Sequence, residues 1–280
     1  GTAEFLQANN SQPPMTAMVN TTKATAQEAT ELLAEQGVEV TPHPWLENCL
    51  ILNKTGNLER LDAYEQGLFY IQDPASRLMA LASGAAPGMR VLDMCAAPGG
   101  KSFAAAIQMD NQGEVISCDL HPHKKKLIQA GADRLGLSII KPMTADGKVR
   151  REEWVSAFDL VLVDAPCSGL GVIRKKPDIR YKDPKPLEDL PQVQQAILEN
   201  AAGYVKPGGV LMYSTCTILP RENGEIVSAF LEKHPEFVRE AFELPGAAGR
   251  GEAGEITLWP QVHQTDGFFI CKLRKVGEAP

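Results

Sequence analysis

Asp164, Cys167 and Cys216 are the side chains whose types and positions first suggest chemistry. Two of them lie in Asp159-Leu-Val-Leu-Val-Asp164-Ala-Pro-Cys167-Ser-Gly169-Leu-Gly171. An apolar run of strand length ends there in a carboxylate, with a proline, a thiol and two glycines just beyond. Continuous apolar runs suit strands buried on both faces of a parallel sheet. Polar groups past the carboxyl end of such a strand lie where open α/β sheets bind ligands. A sulfur presented at that crevice is a nucleophile once it loses its proton. The competing reading makes Asp164 a loop cap and Cys167 a small packing residue.

Gly209-Val-Leu-Met-Tyr213-Ser214-Thr215-Cys216-Thr217 repeats the theme, again with a cysteine just past a strand. If the two strands are neighbours, their axes are about 5 Å apart and both thiols border one crevice. The strands predicted from Arg90 onward are 90–94, 114–118, 138–143, 159–163, 209–214 and a late one at 267–274. Helical stretches at 101–109, 123–135, 190–205 and 222–233 alternate with them, the pattern of stacked βαβ units over a mostly parallel sheet. Pro207-Gly208-Gly209 reads as a turn into the fifth strand, and the stretch 246–254 as a surface loop.

Residues 1–70 read as a small α+β unit, with the remaining residues 71–280 as the larger domain. Thr25-Ala-Gln-Glu28 is a capping box for a helix that Gly37 stops. Short strands are expected at 15–19, 38–41 and 49–52, and Phe69–Ser76 joins the two parts. The small unit holds three basic against nine acidic residues, a poor footprint for gripping RNA. Gly1, not Met, opens the chain inside a predicted helix, which reads as a piece of a longer protein.

Val91-Leu-Asp93-Met-Cys95-Ala96-Ala97-Pro98-Gly99-Gly100-Lys101-Ser102 is strand, tight turn and helix start. Small residues let backbone approach a ligand, and the helix N-terminus offers free N–H groups to an anion. A P-loop would need glycine where Cys95 stands, and the dinucleotide pattern G-x-G-x-x-G is absent. S-adenosylmethionine is the third reading. Asp119 ends the second strand, where a carboxylate can accept both ribose hydroxyls, and Asp146 follows the third, where it can accept from an adenine amino group. Each acid alone also reads as a turn residue.

These stretches resemble a known family. Asp-Met-Cys-Ala-Ala-Pro-Gly-Gly-Lys-Ser (93–102), Asp-Ala-Pro-Cys-Ser-Gly (164–169) and Ser-Thr-Cys-Thr…Glu-Asn (214–223) are similar to the signature motifs of RNA 5-methylcytosine methyltransferases. Pro-Asp-Ile-Arg-Tyr (177–181) and Asp-Gly-Phe-Phe (266–269) resemble the bacterial RsmB/Sun (Fmu) branch, which modifies small-subunit ribosomal RNA. The resemblance implies a Rossmann-like class I methyltransferase fold, with a mostly parallel seven-stranded sheet and an antiparallel last strand. It makes the small N-terminal α+β unit an RNA-associated subdomain. It implies S-adenosyl-L-methionine as cofactor, lined by Cys95 through Lys101, Asp119, Asp146 and Asp164. It also implies that Cys216 adds to C6 of a cytosine, that Cys167 assists release, and that Asp164 holds the N3/N4 edge of the base. Two features depart from the family: its additional N-terminal helical domain does not precede Gly1, and its Arg-x-Asn reads Met18-Val-Asn20. The same chemistry on transfer RNA, and a non-catalytic RNA-binding or ribosome-assembly protein, stay open as alternatives.

Val172–Lys185 follows Cys167 and carries six basic and two acidic residues despite a chain net charge of −7. Arg174, Lys175, Lys176, Arg180, Tyr181 and Lys182 are the expected RNA contacts, cations for phosphates and a ring for a splayed base. In a chain 44% hydrophobic and 22% charged, no apolar run approaches the ~20 residues that span a bilayer, and no signal peptide opens it. None of the six cysteines form C-x-x-C, which argues against zinc, and their number does not suggest a disulfide scaffold, which favours a cytoplasmic setting. A monomer that binds RNA, without metal or membrane, is the expectation.

Overall fold

The computed structural model describes residues 2–277, apart from positions 182 and 184. The chain begins with α1 (Thr2–Asn10), β1 (Met15–Val19), α2 (Ala26–Glu35), β2 (Glu39–Pro42), β3 (Cys49–Asn53), α3 (Asp62–Glu65) and β4 (Phe69–Ile71). Its four strands form an antiparallel sheet in the order β2-β3-β1-β4. The capping box forms: Glu28 N donates to Thr25 Oγ1 (3.2 Å) and Thr25 N to Glu28 Oε2 (2.8 Å). Leu33 of α2 packs on Leu50, Leu52 and Phe69 of the sheet, all buried. Residues 69–71, expected only to join the two parts, are the fourth strand of this sheet.

The larger unit runs α4 (Pro74–Ser83), β5 (Arg90–Asp93), α5 (Gly100–Gln108), β6 (Glu114–Asp119), α6 (Pro122–Leu135), β7 (Ile140–Thr144), β8 (Phe158–Asp164), α7 (Leu190–Ala202), β9 (Val205–Thr215) and α8 (Gly224–Lys233). It ends with β10 (Phe237–Arg239), β11 (Phe242–Glu243), β12 (Arg250–Gly251), β13 (Glu255–Leu258), α9 (Pro260–His263) and β14 (Phe268–Lys275). Seven strands follow the order β10-β14-β9-β8-β5-β6-β7. From β9 to β7 the pairs are parallel, and β14 is antiparallel to β9 as expected of the last strand. An eighth strand, β13, shares the outer edge of β14 with β10, one opposite residues 268–271 and the other opposite 273–275. Both additions are too short for hydrophobic periodicity to announce.

Alternation along β8 explains its unbroken apolar sequence, because successive side chains point to opposite faces. Leu160 and Leu162 join the layer of α4, α5 and α6. Val161 and Val163 join the layer of α7 and α8. The expected turn at Pro207-Gly208-Gly209 lies inside β9: Val205 pairs with Phe158, the chain bulges, and pairing resumes at Val210 opposite Leu160. The stretch 246–254 is not a free surface loop. It carries β12, buries Ala248, and brings Gly246 against the Trp45 ring of the small unit.

Polar contacts at the C-terminal end of α6 join the two units. Asn20 Nδ2 donates to Leu135 O (2.8 Å) and Gly67 O (3.1 Å), and the residue is fully buried. Arg134 donates to Tyr64 O (2.6 Å) and Phe69 O (3.0 Å), with its guanidinium 3.7 Å from the Tyr64 ring centroid. Gly67 is required there, since a Cβ would fall 2.0 Å from Arg134 O. Asn20→Ala strands two carbonyls at this junction. Urea denaturation should show a loss of about 1–3 kcal/mol with an unchanged slope.

Candidate active site

β8 and β9 are neighbours, and Asp164 lies opposite Ser214 at their carboxyl ends. Ser214 Oγ donates to Asp164 Oδ1 (2.8 Å), and Lys101 Nζ, from the first turn of α5, donates to Oδ2 (2.6 Å). The carboxylate is therefore held at both oxygens. Burial opposes the Lys101 ammonium, but the Asp164 carboxylate outweighs it and the lysine pKa rises. Lys101 also reaches Ser76 Oγ (3.4 Å) and lies over the Phe268 ring at 5.2 Å.

The two loops past these strand ends bring Cys167 Sγ and Cys216 Sγ to 3.2 Å. The Cys167–Cys216 hydrogen bond lowers the pKa of Cys216 against burial and the Asp164 charge, with Lys101 and Lys176 adding to the lowering. The same bond, reinforced by burial, raises Cys167. The pair is polarised: Cys167 keeps its proton and donates it toward a Cys216 sulfur inclined to be an anion. Burial pushes Cys49 and Cys118 up to about 12 and raises Cys271 and Cys95 as well, which leaves these four thiols unreactive.

A buried polar frame fixes the two loops against each other. Gly171 N donates to Cys216 O (2.9 Å), and Gly171 can carry no side chain because a Cβ would meet Gly267 O at 1.9 Å. Glu222 Oε2 accepts from Ser168 N and Gln194 Nε2, both at 2.9 Å. Asn223 Nδ2 donates to Thr217 O (3.0 Å), and Ser168 Oγ meets Thr217 Oγ1 at 2.8 Å. The resemblance included Glu222 and Asn223 in the motif at 214–223 but gave them no role.

The turn Cys95–Lys101 rises from β5, pinned by Ala96 N to Cys118 O (2.7 Å) and Gly99 N to Ala96 O (2.7 Å). Gly99 caps α5 without a side-chain hydrogen bond, so the first N–H groups of the helix lack a side-chain acceptor. Beneath lies Asp93, fully buried, which accepts from Ser102 Oγ (2.8 Å) through Oδ2 while Oδ1 has no partner among the described residues. Burial raises its carboxyl to about 7.

A cleft of about 1030 Å³ opens over the site between the two units. Ala96, Ala97, Pro98, Gly100, Lys101, Asp164 and Cys216 form one wall, and residues 12–16 and 52–55 of the small unit form the other. Cys95, Gly99 and Cys167 do not line the cleft. Asp119 and Asp146 lie farther along the carboxyl edge. Asp119 Oδ1 accepts from His121 N (3.0 Å), and Asp146, which accepts from Lys148 N (2.9 Å), borders a second, smaller cavity with Leu120 and Ala145. The structure thus places the helix start in the large cleft, Asp146 in the second cavity, and Asp119 in the lining of neither.

The basic loop is less free than its sequence suggests. Arg174 Nε meets Asp266 Oδ1 at 3.1 Å, and Lys175 Nζ meets Asp73 Oδ2 at 2.6 Å and Asp266 Oδ2 at 2.7 Å. The Arg174 side chain is only 6% exposed, so it braces the loop internally. Arg180 donates to Asn9 O (3.1 Å) and Asn10 Oδ1 (2.7 Å) of α1. Lys176 lines the cleft, Tyr181 is 88% exposed, and Lys182 lies outside the described residues.

Comparison with known proteins adds the lineage. Residues 80–274 match the family model described as 16S rRNA methyltransferase RsmB/F, and residues 1–59 match a RsmF/B-like ferredoxin-like domain. The probable ribosomal RNA small subunit methyltransferase B of Bacillus subtilis is 43% identical over 271 residues, covering 95% of this chain and 60% of that protein. The ribosomal RNA small subunit methyltransferase F of Erwinia tasmaniensis is 33% identical, over 94% of this chain and 57% of its own. The crystal structure of PH0851 superposes with a TM-score of 0.91 at 33% identity, over 98% of this chain and 62% of its own. The chain thus spans about 60% of the length of these curated relatives. On the match to residues 80–274, the chain belongs to the 16S rRNA methyltransferase RsmB/F family.

Proposed function

We propose that the chain is the catalytic part of an S-adenosylmethionine-dependent RNA cytosine-C5 methyltransferase that acts on small-subunit ribosomal RNA. The observation that carries this reading is the pair of thiols, 3.2 Å apart, just past the ends of β8 and β9, with Cys216 lining the cleft. C5 of cytosine is a weak nucleophile, and a thiol that adds to C6 activates it. The Cys216 thiolate bonds to C6, and the C5–C6 π pair moves toward C5, which becomes enamine-like. When bound, S-adenosylmethionine supplies the methyl group that C5 takes up. Loss of the C5 proton to a base then drives the electron pair back, the C6–S bond breaks, and Cys216 leaves as thiolate. Cys167 serves this release step from its place beside Cys216.

Asp164 orients the N3/N4 edge of the base, with Ser214 and Lys101 fixing its carboxylate. The residues that would hold the cofactor are Cys95–Lys101 around the turn, with Asp119 toward the ribose and Asp146 toward the adenine. Residues 71–280 form the catalytic domain, and residues 1–70 form an RNA-associated unit whose contribution is the second wall of the cleft. For RNA, the reading relies on Lys176 and Tyr181, with Lys175 and Arg180 available where a phosphate displaces their present partners. The target base must leave its stack to reach the thiols. Free cysteines throughout fit a reducing, cytoplasmic setting for a single-chain enzyme. Bisulfite sequencing of total RNA with and without the intact gene tests the whole reading. One cytosine of the small-subunit RNA should lose its protection, and unchanged patterns would refute it.

Cys216→Ala should lower methyl transfer by more than about a thousandfold while cofactor binding, followed by calorimetry, persists. Cys167→Ala should trap an RNA–protein adduct that survives a denaturing gel; normal turnover with no adduct would remove its role in release. Ionisation offers a third check. Because Cys216 is lowered chiefly by its bond to Cys167, iodoacetamide should modify it at a lower pH than a free thiol and before Cys167. In Cys167→Ala that donor is gone, so the Cys216 labelling profile should move to higher pH.

A further inference from the structure

Gln72, the residue after β4, is where the chain leaving the small unit meets the turn of β5 and α5. Its backbone is fixed on both sides by Thr16 of β1: Gln72 N donates to Thr16 O (3.2 Å), and Thr16 Oγ1 donates to Gln72 O (2.6 Å). Its side chain is 8% exposed, and Oε1 accepts from Tyr70 OH (3.2 Å), which turns the other end of the amide toward α5. A Cβ built on Gly100 would stand 2.9 Å from Gln72 Nε2. That nitrogen has no acceptor among the described residues, and Gln72 and Gly100 both line the cleft. The result is an unused donor, oriented by a second hydrogen bond and aimed at the first turn of a nine-residue helix whose cap offers no side chain.

Two features specify the ligand. The donors are a neutral amide and backbone N–H groups, which suit a planar anion with two acceptor atoms. Lys101, the cation of this turn, is already bound to Asp164, so a dianionic phosphate would find no unpaired cation on the turn. A carboxylate, with one charge and two acceptor atoms, answers both. We infer that Gln72 Nε2 and the first turn of α5 together bind the carboxylate of the cofactor's amino-acid end. This assignment rests on the cofactor reading above and adds to it a residue that the strand-end motifs do not contain. It also means that the small unit, through Thr16, helps to build the cofactor site.

The test compares two ligands that differ in that one group, S-adenosylmethionine and its decarboxylated form, by calorimetry on the 280-residue chain. Wild type should bind the decarboxylated form about tenfold or more weakly, the size of a hydrogen bond to a charged group. Gln72→Ala should weaken S-adenosylmethionine severalfold and leave the decarboxylated ligand unchanged, narrowing the gap to what the backbone N–H groups of α5 contribute. Gln72→Glu keeps the shape and the acceptor for Tyr70 OH, and should weaken S-adenosylmethionine further by like-charge repulsion. Equal affinity of wild type for the two ligands overturns the assignment without any variant. Equal weakening of both ligands in Gln72→Ala overturns it too, because that is the mark of a purely structural role. If wild type binds neither ligand, the cofactor reading itself fails, and the role of Gln72 with it.

Discussion

The parallel pairing of β8 with β9, with Asp164 opposite Ser214, is the constraint on which the site depends. From that one rung both loops leave the sheet in the same direction, and each reaches its cysteine within three residues. A slip of one residue in the ladder would turn every side chain of β8 to the other face. The layers on the two sides forbid that, because Leu160 and Leu162 on one face and Val161 and Val163 on the other are fully packed. The hydrophobic core therefore sets the distance between the two sulfurs, and Cys216 itself packs against its edge.

Electrostatics then decides which sulfur is the anion. An acid beside a thiol raises its pKa, and Asp164 acts on Cys216 in that sense. The hydrogen bond from Cys167 outweighs it, and the charge of Lys101 adds to the lowering. Behind them, Glu222, Asn223 and Gln194 hold the loops with buried hydrogen bonds, each of which would cost about 1–3 kcal/mol to leave unmade. Rigidity of this kind keeps two neighbouring thiols in one polarised arrangement.

Much of the fold was legible because its signals are local. An apolar strand that ends in a carboxylate, a glycine turn before a helix, and a capping box each report on a few consecutive residues. The β9 bulge at Pro207-Gly208-Gly209 was hidden because proline and glycine look the same in a bulge as in a turn. β10 and β13 were hidden by their length. In the site, the residues at strand ends could be named in advance, whereas their partners could not. Nothing in the sequence of Gln72, Asp73 or Asp266 says that residues this far apart along the chain meet at one cleft. A run of cations likewise carries no label for its counter-ions, so Arg174 looked like an RNA contact although it lies between two carboxylates.

That four-charge knot of Arg174, Lys175, Asp73 and Asp266 has a consequence for how a polyanion is held. Each cation that neutralises a phosphate of a single strand steepens the logarithmic dependence of affinity on salt by about 0.7. Cations already matched with carboxylates release no condensed ions, so the loop's nominal charge overstates its ionic grip. On the proposed reading, capture at this face leans instead on ring stacking, for which Tyr181 stands open, and would survive ionic strengths that strip a purely electrostatic binder.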